Sequence, residues 1–182
     1  MGFHYRVYDN IKPHFITITV VDWIDVFIRK SHKITLLESL QYCQNKKGLE
    51  IFAWCLMPSH IHLIVRATEG HQLSDIIRDF KRHTSKAIIQ QIKDEPESRR
   101  EWMLESFKKA AIDNPKNGEY KFWQDGYHPV ELYSSPFIAQ KLNYIHNNPV
   151  EEMLVEKPWD YMFSSARNYA DMDNLLEVVK IE

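Results

Sequence analysis

Apolar and polar positions alternate along Phe15-Ile16-Thr17-Ile18-Thr19-Val20-Val21, just after Pro13, and this β-branched run predicts a first strand. Over 32–47 the period lengthens: Ile34, Leu36, Leu37, Leu40 and Tyr42 recur beside Lys33, Glu38, Gln41 and Lys46, an amphipathic helix closed by Gly48. Two further strands follow, over 49–55 and 60–67, joined by Met57-Pro58-Ser59 at hairpin length. From Leu73 to about Ile92, helical spacing of Leu73, Ile76, Ile77, Phe80, Thr84, Ala87 and Ile88 predicts a core-facing second helix. Residues 93–118 are charged and turn-rich around one short helix, which predicts a partly mobile insertion. A fourth strand is expected at 119–123, and Ser134-Ser135-Pro136 starts a helix that should end by Pro149. Pro158-Trp159 introduces a short helix to about Tyr169, and the apolar tail 175–181 should pack as a final segment. Strand, helix, strand, strand, helix, strand is the order of a ferredoxin-like or RRM-like α+β sandwich: an antiparallel sheet with helices on one face, extra C-terminal helices, and the other face open for ligands.

The 182 residues suit a single domain, with the insertion at 93–118 and a helical extension over 151–182. No stretch approaches the roughly 20 apolar residues of a membrane span, and the first residues carry no apolar leader core, so a cytoplasmic location is expected. Cys43 and Cys55 are too few for a disulfide framework and read as small buried hydrophobes. A net charge of −2 argues against coating nucleic acid through bulk positive charge, so any such contact must come from a local basic face.

Candidate chemistry centres on His60 and His62. Two positions apart on a strand, both imidazoles leave the same face and can share one ligand. Their neighbours Ile61, Leu63, Ile64 and Val65 are aliphatic, and two histidines in such a surface read as half of a metal site, or alternatively as a hydrogen-bonded structural pair. Imidazoles alone would suit zinc as well as a harder ion. Further on, Tyr144 and Asn148 share one face of the last long helix, at the border of its Ile138, Leu142, Ile145 stripe, while His146 points away from them. Asn148 before Pro149 would equally serve to end the helix. The second helix carries a basic stripe, Arg78, Lys81, Arg82 and Lys86, suited to phosphates or simply to solvent. Trp123 and Tyr127 are aromatics that could stack on bases or fill the core.

Taken together, the segment 48–67, Phe122-Trp123-Gln124-Asp125-Gly126-Tyr127-His128-Pro129-Val130, the stretch 144–150 and Ser164-Ser165-Ala166-Arg167 resemble the single-tyrosine HUH transposases (IS200-like), in particular the REP-associated tyrosine transposase branch, over most of the chain. That resemblance implies that His60-Ile61-His62 is the metal-binding motif, that Tyr144 is the nucleophile, and that Asn148 stands where relatives place a glutamine or similar third ligand. It implies a divalent ion, Mg2+ or Mn2+, in an open octahedral site. The implied activity is nicking and joining of single-stranded DNA through a 5′-phosphotyrosine intermediate, with recognition of a DNA hairpin such as a repetitive extragenic palindrome. Arg78, Lys81, Arg82, Lys86, Trp123 and Tyr127 would supply the DNA contacts. Relatives work as homodimers with the tyrosine helix supplied in trans, or as monomers that use their own. Two other classes remain open: a non-catalytic single-stranded nucleic-acid-binding module on the same fold, and a small metallophosphoesterase.

Overall fold

The computed structural model describes residues 11–112 and 118–181. Its sheet has four antiparallel strands in the order β2-β3-β1-β4, built from β1 (His14–Thr19), β2 (Leu49–Leu56), β3 (His60–Ala67) and β4 (Val130–Glu131). This is the ferredoxin-like strand order, and it follows from the predicted hairpin β2–β3 with β1 inserted on the free side of β3. Helices α1 (Lys30–Lys47) and α2 (Leu73–Asp94) cover one face. Their buried stripes, Leu36, Leu37, Leu40 and Cys43 from α1 and Ile76, Ile77, Phe80, Ile88 and Ile92 from α2, meet Ile16, Ile18, Ile61, Leu63 and Val65 of the sheet. Tyr42, expected in the α1 stripe, is exposed. Gly48 ends α1 with φ +69°, and a Cβ there would lie 2.4 Å from the Thr68 hydroxyl, so both backbone shape and space require glycine.

Strand alternation sends Phe15, Thr17, His60, His62 and Ile64 to the opposite face. That face is not left open. Helix α4 (Ser135–Glu151) packs across it, burying Ile145 and half-burying Phe137, Ile138 and Leu142 against Phe15, Phe52, Ala53, Cys55 and Ile64. Helix α4 also runs through Pro149, so Asn148 is helical rather than the residue that ends the helix. Pro149 lacks the N–H that would bond the Ile145 carbonyl one turn back, and the helix ends two residues later at Glu151.

Three further expectations change. Residues 119–123 do not form the fourth strand: Phe122 and Trp123 are both buried, which breaks the alternation a strand requires, and Trp123 makes only an isolated bridge to Val20. The strand beside β1 is instead β4, which pairs with His14 and Phe15. Within 93–118, α3 (Arg100–Ala111) is packed rather than loose, with Met103 and Phe107 fully buried and Arg29–Glu97 and Arg99–Asp25 ion pairs tying its start to the turns after β1. The expected mobility falls in part on 113–117, outside the described residues. The single helix expected over 158–169 is a short turn, Pro158–Asp160, and a separate α5 (Ala166–Tyr169), between which residues 163–165 run along the edge of β2. The tail packs through Leu176, which is buried, and through the Val179 N–H donating to the Ile51 carbonyl at 2.9 Å.

Both cysteines are free and buried, and burial pushes their thiols up to about 11 for Cys43 and about 12 for Cys55. They are inert at neutral pH. Among the described residues, no helix is long and apolar enough to cross a membrane.

Candidate functional site

The site is assembled on the α4 face from neighbouring strands and one helix. On β3, His60 and His62 bring their Nε2 atoms to 3.1 Å from each other. The ladder sets Thr17 of β1 directly opposite His62, and its Oγ1 lies 2.8 Å from His62 Nδ1. Ser59 Oγ lies 3.2 Å from His60 Nδ1. Each imidazole is thus held at Nδ1 by a hydroxyl, and the two Nε2 atoms face each other at hydrogen-bond distance, the geometry of a hydrogen-bonded pair as well as of two donors able to share one ion. Phe15, two residues before Thr17, stacks on His62 at 5.6 Å with the planes 22° apart.

Burial governs the protonation of this pair. His62 is 4% exposed, and desolvation, with smaller contributions from His60 and Lys141, lowers it to about 3; burial alone lowers His60 to about 4. Both rings are neutral at physiological pH, the form that ligates a metal.

Helix α4 starts at Ser135 with Pro136 in its first turn, and its apolar stripe fixes which residues stand beside the histidine pair. Tyr144 is one of these. Its ring lies edge-on to His62 at 5.2 Å and to Phe15 at 5.9 Å, and the residue is 40% exposed. The nucleophile candidate and the histidine pair therefore meet within a single chain. One turn before it, the Lys141 ammonium sits 4.6 Å from the centre of the Phe15 ring and 5.6 Å from that of Tyr144. One turn after it, Asn148 is buried. His146 faces elsewhere: its Nε2 lies 2.9 Å from Ser165 Oγ and its ring packs on Tyr169.

The donor set suits a divalent ion with open positions. Two neutral imidazoles with their Nε2 atoms 3.1 Å apart are borderline donors that fit zinc as well as a harder divalent ion. Among the described residues, no group of three or more His, Cys, Asp or Glu could hold a metal ion. Asn148, expected as a third ligand, is of another residue type and lies buried one turn after Tyr144.

The other expected site residues stand apart. Helix α2 lies on the opposite face of the sheet, and its basic stripe is interleaved with acid: Arg78 pairs with Asp75 and Asp79, and Arg82 with Asp79. Lys81 is used within the fold, its Nζ donating to the Gln124 and Gly126 carbonyls at 2.8 and 2.7 Å, and burial lowers it to about 8. Lys86 is exposed and, with Arg82, lines a cleft closed by residues 118–126. Trp123 is 5% exposed, stacks on Phe27 and donates from Nε1 to Thr84 Oγ1 at 3.0 Å, so it is a core residue rather than a platform for bases. Tyr127 is half-buried against the same core.

Four residues of the site carried little or no sequence signal: Phe15, Thr17, Trp23 and Lys141. Trp23, 59% exposed, packs T-shaped with His60, the ring centroids 5.3 Å apart. Lys141 was the most legible of the four, being three residues before Tyr144 and hence on its helix face.

A family model described as IS200-like transposase matches residues 7–108, more than half of the chain. Among solved structures, a REP-associated tyrosine transposase bound to a REP hairpin is similar with a TM-score of 0.68 and 19% identity, over 100% of this chain and 96% of that one. At that identity the likeness speaks for the fold. A putative transposase from Deinococcus radiodurans R1 is similar with a TM-score of 0.45 and 20% identity, over 81% of this chain and 95% of that one. No curated protein matches this chain in sequence.

Proposed function

This chain belongs to the IS200-like transposase family, and from that premise we propose that it is a metal-dependent enzyme that nicks and rejoins single-stranded DNA, with Tyr144 as nucleophile acting beside the His60–His62 pair of its own chain. The observation that carries the reading is the Tyr144 ring at 5.2 Å from His62, whose Nε2 converges with that of His60.

His60, His62 and Asn148 would hold Mg2+ or Mn2+, which when bound withdraws charge from the scissile phosphate and stabilises the departing 3′ oxygen. Tyr144 supplies the attacking oxygen. Its phenol proton passes to solvent water as the new bond to phosphorus forms, the bond from phosphorus to the 3′ oxygen breaks, and that oxygen takes a proton from water to become a free 3′-OH. DNA is left joined to Tyr144 through its 5′ phosphate. One phosphodiester has replaced another, so the reverse attack by a 3′-OH rejoins strands without an energy source. Lys141, against Phe15 and Tyr144, offers a cation to the phosphate oxygens that the histidine side does not face. Thr17 and Ser59 keep the imidazoles oriented.

Hairpin DNA is the proposed partner, since the similar solved transposase is bound to a REP hairpin. Arg82 and Lys86, beside the cleft lined by residues 118–126, would take part of its backbone. Cleavage in cis requires no second copy.

The test is incubation with Mg2+ and hairpin oligonucleotides bearing single-stranded flanks, resolved on denaturing gels. The wild type should give a covalent protein–DNA adduct that is absent with chelator and in Tyr144→Phe. Cleavage that survives Tyr144→Phe would instead mark a phosphoesterase that uses water.

A further inference from the structure

Trp23 is exposed although the chain around it is firmly held. Val20 N–H donates to the Ser59 carbonyl and Val21 N–H to the Phe122 carbonyl, both at 2.9 Å, and Val21 and Ile24 on either side are buried in the core. Asp22 and Trp23 both adopt left-handed backbone, with φ of 52° and 55°, a region that disfavours residues with a Cβ. Strain of this kind persists only where the surroundings enforce it, and it gathers at functional sites. Here its result is an indole, 59% exposed, that packs T-shaped with His60 at 5.3 Å.

The order of rings then matters. Trp23 stands against His60, His60 against His62 at 4.6 Å, and His62 against Tyr144 at 5.2 Å. An in-line displacement at phosphorus places the entering and departing oxygens on opposite sides. With Tyr144 entering from the His62 side, the nucleotide that carries the departing 3′ oxygen extends toward His60, and its base comes within reach of the indole. Trp123 cannot take that role, since its faces are covered in the core.

We propose that Trp23 is the stacking platform for the base immediately 5′ of the scissile bond, and so helps to set where the strand is cut. This rests on the cleavage reading above. Stacking on an aromatic face is tolerant of base identity, so Trp23 would position the nucleotide more than select it.

The experiment uses a hairpin oligonucleotide whose single-stranded flank is chosen from a randomised pool by wild-type cleavage, with the cut located by sequencing the released fragment. A second version carries an abasic site immediately 5′ of the cut. Wild type should lose about 5- to 150-fold in kcat/KM on the abasic version, the range that base–aromatic stacking supports. Trp23→Ala should lose a similar factor on the intact version and almost nothing further on the abasic one, and Trp23→Phe should keep most of the activity. Thermal melting and Mn2+ binding of both variants should match wild type. A Trp23→Ala loss that persists in full on the abasic substrate would overturn the proposal, as the indole would then act only through His60; so would wild-type rates in Trp23→Ala. If the wild type cuts no member of the pool, the cleavage reading itself fails. Trp23 is then judged by binding of short oligo-dT, where an affinity unchanged in Trp23→Ala overturns the stacking role.

Discussion

Replacing Thr17 by Val tests the link between the strand ladder and the proposed metal-binding role of the His60–His62 pair. Valine has nearly the shape of threonine and suits a strand, so Thr17→Val removes one oxygen and little else. That oxygen is 2.8 Å from His62 Nδ1 and holds the imidazole of a residue that is 4% exposed. Loss of such an outer partner lowers metal affinity by about 10- to 100-fold, or about 1.4–2.7 kcal/mol at roughly 1.4 kcal/mol per tenfold. Phe15 stacked at 5.6 Å still restrains the ring, which favours the lower half of that range. The assay is Mn2+ titration followed by the electron-spin resonance of the free ion, with Thr17→Ser as the control that keeps the hydroxyl. Thr17→Ser should bind within a few-fold of wild type. A Thr17→Val affinity equal to wild type, with His62→Ala defective, would refute the idea that the Thr17 hydroxyl orients the ligand. If His62→Ala also binds normally, the histidine pair is not the metal site.

Two more outcomes follow from single residues. Lys141→Gln should slow adduct formation by about 10- to 150-fold, the worth of a charge-assisted hydrogen bond of roughly 1.5–3 kcal/mol, with Lys141→Arg partly active and Mn2+ binding retained in both; equal rates in Lys141→Gln would remove Lys141 from the site. His32 is buried, bonded from Nδ1 to the Val26 carbonyl at 3.0 Å, with Nε2 unpartnered among the described residues, and burial holds it below its usual value of 6.5. Below about pH 6.5 the unfolded chain therefore binds a proton that the folded chain refuses, and stability falls with falling pH. The melting temperature of His32→Asn should drop less than that of wild type between about pH 7.5 and about pH 5.5, and parallel curves would show that His32 is not linked to folding.

The strand and helix order could be read from the chain because hydrophobic period is a local property, visible in 60–67 and in 73–92 alike. The same period places His60 and His62 on one face. It failed at 119–123, where Phe122 and Trp123 are adjacent and both buried, a packing that depends on Phe27 and Phe107 far away in the chain. It also left the second sheet face open, because nothing local says that α4 folds back across it. Tyr144 could be named only through a resemblance. The structure adds its distance from His62. Trp23 was invisible for the opposite reason: a lone tryptophan among Val20, Val21 and Ile24 looks like core, and only its left-handed backbone turns it outward. The basic stripe of α2 was correctly seen as a row, but Asp75 and Asp79 neutralise much of it and Lys81 is spent on two carbonyls.

The most direct test of the central claim, that Tyr144 attacks DNA held by the histidines of its own chain, is complementation between two defective variants. Tyr144→Phe and His62→Ala are each expected to form no adduct with the cleavable hairpin, and their mixture should form none either, while the wild type yields an adduct that peptide mass spectrometry places on Tyr144. An adduct restored on mixing would show that the tyrosine works on a partner's histidines and would contradict the cis arrangement.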